Sequence, residues 1–94
     1  MTRRAAPPKD PAPRTLREAH EVLVRLRPAP EGAPLSEWQA FHAMSARVYA
    51  EVAEVDRGHH HEALNYWAVR ERQSADEIAG LIARQKTDQA AAQD

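Results

Sequence analysis

No proline follows Pro34. The sixty residues from Leu35 to Asp94 hold only two glycines, Gly58 and Gly80. Proline removes a backbone donor and glycine loosens the backbone, so these two residues do most to interrupt helices. This stretch therefore has one strong internal stop, at Gly58. The chain carries 19 alanines, the strongest helix former. No segment alternates apolar and polar residues for long, so no strand is expected. The sequence predicts an all-α fold, a small three-helix domain built on an antiparallel αα-hairpin.

Three helical segments follow from spacing, at about residues 15–27, 36–57 and 60–85. The first opens on Thr15 and Glu18, which have capping-box spacing. Leu16, Ala19, Leu23 and Leu26 then form one apolar stripe, and Pro28 and Pro30 stop the helix. The second opens on Ser36 and Gln39 and carries a seam of Trp38, Phe41, Ser45, Val48, Val52 and Val55. Gly58 fits a left-handed residue closing that helix. The third has Leu64, Trp67, Ala75, Ile78 and Ile82 on its buried face. Arg70 to Gln73 interrupt that pattern, and Ser74 with Glu77 is a further capping match. The third segment thus runs through or breaks near Ser74.

The charge is uneven. Residues 1–14 carry four prolines and a net charge of +3, from Arg3, Arg4, Lys9 and Arg14 against Asp10. This reads as a disordered basic tail. The helical body over 15–86 follows, and 87–94 read as a polar disordered tail. The whole chain of 94 residues has a net charge of −1, so charge alone would hold it on neither nucleic acid nor an anionic membrane. A nucleic-acid contact is expected at most through Arg3 and Arg4. No apolar run approaches the ~20 residues that span a bilayer, and no apolar stretch follows Arg3 and Arg4 as a secretory leader would require. The chain has no cysteine, which excludes disulfides and thiolate chemistry. A cytoplasmic location is expected.

Chemistry-bearing motifs are few. There is no phosphate-binding glycine loop, no nucleophile elbow and no paired acids in an evident cleft, so no enzyme and no cofactor are expected. A three-helix domain of this size is also expected to lack a small-molecule pocket of ~300 Å³. His59-His60-His61-Glu62 are metal ligands in type. Successive helical residues diverge by about 100°, so only His59 and Glu62 share a face, with His61 beside Asn65. A metal site at His59, His61 and Glu62 would need completion across a subunit interface. At a helix N-terminus the dipole favours neutral imidazoles.

The third helix carries a second, half-apolar face in Tyr66, Val69, Arg70 and Gln73, and Tyr49 lies off the Val48 seam of the second. A helix with two partly apolar faces contacts more than one neighbour. Glu71 falls on the main stripe, where Arg47 or Arg57 would pair with it across the hairpin. Between 15 and 83 there are 20 large apolar or aromatic side chains, a thin core for a domain that must stand alone. These features point to a non-catalytic protein-interaction or accessory protein that binds a protein partner or a second copy of itself. Metal binding through the histidine cluster is the alternative.

Two resemblances attach to particular residues. GHHHEALNYW, 58–67, resembles the turn and second helix of a tetratricopeptide repeat, with Gly58, Ala63 and Trp67 in the family's glycine, small and aromatic places. Arg47, Glu51 and Glu54 depart from that family's first helix, Arg70 replaces a usual alanine, and no second copy follows at a period of about 34 residues. This resemblance implies a hairpin and not a peptide-binding superhelix. TLREAH, SEWQAF and DRGHHHEAL together resemble a family of small uncharacterised actinobacterial proteins over about 15–70. That resemblance implies a source and carries no activity.

Overall fold

The structure, a computed structural model, describes residues 12–93. Most of the basic tail expected over 1–14 lies outside the described residues, as does Asp94. Among the described residues there are three helices and no strand. Helix α1 spans Leu16–Leu26 and α2 spans Leu35–Val55. A short 3-10 turn at Arg57–His59 leads into a third helical column, which begins as a wide π turn at Glu62–Ala68 and continues as α3, Val69–Gln93.

Thr15 caps α1, its Oγ1 accepting from the Glu18 backbone N–H at 3.0 Å. Glu18 reaches back as the box spacing requires, but to the N–H of Arg14 at 2.8 Å, one residue earlier than expected. Leu16, Ala19 and Leu23 are buried, whereas Leu26 is exposed. The helix ends there because Pro28 forbids helical backbone before it, and Arg27 is extended at ψ 136°. The connector turns at Gly32, whose φ of +90° suits glycine.

Three expected boundaries move. The second helix starts at Leu35, capped by backbone alone, with the Pro34 carbonyl accepting from Glu37 and Trp38 at 3.0 and 3.3 Å. Ser36 sits exposed inside the first turn and caps nothing. Gly58 does not take the left-handed conformation; it lies in the 3-10 turn, and Asp56 closes α2 instead. The third column neither breaks at Ser74 nor frays at residue 85. It runs helical to Gln93, because after Gly80 no glycine or proline stops it and Ala90 to Ala92 favour it.

Helix α2 is the central element. The third column packs antiparallel along it, as a hairpin requires, and α1 packs across α2 while barely meeting α3. Being covered from two sides, α2 buries a wide arc: Phe41, Ser45, Ala46, Tyr49, Val52 and Ala53. Val55, expected in the seam, is exposed. Six of the eleven buried apolar residues are alanines, which let backbones approach closely but bury little area each. With His42 opposite Glu71, the start of α2 stands opposite about Ile78. Beyond that point α3 projects past the bundle, and Ala83 to Ala92 are exposed throughout. No helix among the described residues is long and apolar enough to cross a membrane.

Candidate functional site

Because α1 and the third column both pack on α2 but diverge from each other, a cleft of about 300 Å³ opens between them. This corrects the expectation that so small a domain has no such space. The α1 wall is His20, Val24 and Arg27, residues at i, i+4 and i+7 just beside the buried stripe. The floor, from α2, is Phe41, His42, Ser45 and Tyr49, and the far wall is Trp67, Arg70, Glu71 and Ser74.

Two side-chain pairs brace these walls. The Tyr49 hydroxyl and His20 Nδ1 are hydrogen-bonded at 2.7 Å, tying α1 to α2. His42 Nδ1 lies 2.6 Å from Glu71 Oε1, tying α2 to α3. A carboxylate only accepts, so the proton sits on His42 Nδ1. Glu71 thus pairs with His42 and not with Arg47 or Arg57; Arg57 instead meets Glu54 and the Ala53 carbonyl. Burial, and then the nearby Glu71 carboxylate, push the Tyr49 phenol up from 10.0 to about 12. Ser45 is buried but satisfied, donating to the Phe41 carbonyl at 2.8 Å.

Aromatic rings line the interior. Trp67 stacks on Tyr49 with centroids 5.7 Å apart and meets the edge of His20 at 4.6 Å. Trp67 is half-buried, facing the cleft and not the closed core expected from its stripe. Arg27 lies over Trp38 at 5.5 Å, and Arg70 lies over Tyr66 and Trp67 at 5.9 and 6.0 Å. Arg70 Nη1 also donates to the Tyr66 hydroxyl at 2.8 Å.

The candidate interaction residues divide. Tyr66 is 51 % exposed and Val69 46 %, and Arg70 and Gln73 are exposed beside them. Tyr49 is only 4 % exposed. It belongs to the core and cleft floor, because α1 covers the side of α2 on which it stands.

The histidine cluster is drawn apart. His59 Nδ1 pairs with Asp56 at 3.0 Å, His60 Nδ1 donates to the Ala53 carbonyl at 2.8 Å, and Asn65 donates to His61 at 3.3 Å. Among the described residues no three His, Asp or Glu side chains form a group able to hold a metal ion. His59, His61 and Glu62 are therefore not brought together within the chain. Asp56, unremarked in the sequence, does more. Its Oδ2 accepts the Leu16 backbone N–H at 2.8 Å, fastening the start of α1 to the corner between α2 and the third column. That bond, and then His59, hold the Asp56 carboxyl below its ordinary value, while Asp56 raises His59.

The chain matches no family model, no curated protein and no solved structure.

Proposed function

We propose that this is a non-catalytic, cytoplasmic accessory protein that works by binding another protein or a second copy of itself. The observation that carries the reading is the exposed strip Tyr66, Val69, Arg70 and Gln73. These residues stand at i, i+3, i+4 and i+7, the spacing with which a helix presents anchors to a groove. Tyrosine and arginine are the residue types that dominate binding energy at protein interfaces. The Arg70–Tyr66 hydrogen bond holds both side chains in one arrangement, so little rotamer freedom remains to be lost on docking. The alanine-rich core supports the same reading, since a chain that buries little of its own surface gains from covering more.

A photo-crosslinking side chain placed at Val69, with a second at Glu21 as control, tests this in cells that produce the protein. Glu21 is exposed and lies on α1, away from the strip. The reading expects an adduct from position 69 to one defined protein, this chain or another, and loss of that adduct on Tyr66→Ala. Equal labelling from the two positions, or none from either, refutes it.

A further inference from the structure

We propose that the cleft between α1 and the third column is a binding site for a small aromatic carboxylic acid. The space of about 300 Å³ meets the lower bound of ordinary small-molecule sites. Phe41, Tyr49 and Trp67 line it; Phe41 and Tyr49 are buried and Trp67 is half-buried, so the indole is the main ring surface, against which a flat aromatic body would lie.

The polar lining sets the sign of the charge. His20 is taken by Tyr49, and the Glu71 carboxylate is taken by His42. Arg27 and Arg70 remain, one on each wall. Among the described residues neither guanidinium forms an ion pair; each rests on a ring face, and Arg70 gives one further donor to Tyr66. Each guanidinium carries five N–H donors, so most donors on both stay available. Two cations without carboxylates therefore flank a ring-lined space whose only acid is already hydrogen-bonded. A carboxylate is the group a guanidinium fork holds best, by two parallel bonds. Aromatic body and single carboxylate together define the ligand class.

The test uses the full-length chain and three probes of one shape: 2-naphthoate, neutral 2-naphthamide and cationic 2-naphthylmethylammonium. Binding is followed by calorimetry and by the indole N–H resonances of Trp67 and Trp38. The site expects saturable one-to-one binding of naphthoate, with the Trp67 resonance moving most. Naphthamide should bind about tenfold more weakly, as should naphthoate to Arg27→Met or Arg70→Met. Circular dichroism confirms that each variant is folded. Equal binding of acid and amide, preference for the cation, indifference to both arginine substitutions, or no saturation overturns the proposal. Arg27 lies outside the Tyr66–Gln73 strip. Arg27→Met therefore separates the two readings, because it should abolish naphthoate selectivity and leave the Val69 crosslink intact.

Discussion

Tyr49→Phe isolates one brace of the cleft. The substitution keeps the ring that stacks on Trp67 and removes only the hydroxyl bonded to His20. At neutral pH the loss of that bond should cost about 1 kcal/mol, which lowers the melting temperature of a domain this size by about 4–8 °C. The alkaline limb runs the other way. The native phenol is pushed up to about 12 from 10.0, so the unfolded chain gives up its proton first as pH rises. The stability that this phenol contributes is thus intact below pH 10 and is lost as pH climbs from there toward 12. Two units at ~1.4 kcal/mol each set a ceiling of about 2.7 kcal/mol; solvent reaching the cleft reduces this to about 1 kcal/mol. Tyr49→Phe has no such proton to lose, and Tyr66 is common to both chains. The stability gap measured by urea unfolding at about pH 7 should therefore narrow by about half at pH 11 and close near pH 12. A gap that is absent at neutral pH, or that widens with alkali, would refute the placement of this hydroxyl.

Asp56→Ala should lower the melting temperature by freeing the start of α1. It should also flatten the pH profile, which in the wild type peaks between about pH 4 and 6.5: stability drops as acid titrates the lowered Asp56, and drops again as pH rises through the raised His59. Unchanged melts across that range would show that the corner bond contributes nothing. Trp67→Ala, which strips a half-buried ring from His20 and Tyr49, should cost about 2–3 kcal/mol. Tyr66→Ala should cost under ~1 kcal/mol in the isolated chain; chemical unfolding of both variants checks the order, and the reverse order would mean that the two faces of the third helix are exchanged.

The three helices were legible because they depend on local signals: the absence of proline after Pro34, the Thr15 cap and the Leu16–Ala19–Leu23 stripe. The burial pattern of the third column was less so, because every stripe drawn on it assumed 3.6 residues per turn. Over Glu62–Ala68 the turn is wider. Ala63 and Ala68, five apart, are both buried, and Trp67 swings to the cleft edge. A π turn leaves no mark in composition, so a helical period read from spacing misplaces the side chains that follow it. Gly58 shows a related limit. A glycine after a helix suggests a left-handed stop, but Asp56 already closes α2 with a side chain that also reaches α1, so the left-handed turn was not needed.

The cleft was hidden for a different reason. Its pieces are pairs across elements, His20 with Tyr49 and His42 with Glu71, and a single sequence displays spacing only within an element. His20, Val24 and Arg27 do form a stripe, but it looks like the polar edge of an amphipathic helix until α2 is known to face it. The sign that a second surface existed was Tyr49, an aromatic off the expected seam of α2. An off-seam aromatic on a hairpin helix has two fates, exposure as a docking residue or cover by a third element. The α1 stripe decides between them: Leu16, Ala19 and Leu23 need an apolar partner, and the Tyr49 side of α2 supplies it. Once α1 is laid there, it cannot also lie flush against α3, because Trp67 and Arg70 already occupy the space above Tyr49. The bulk of the Trp67 indole thus separates α1 from α3, which makes the cleft a packing consequence of the same aromatic cluster that lines it.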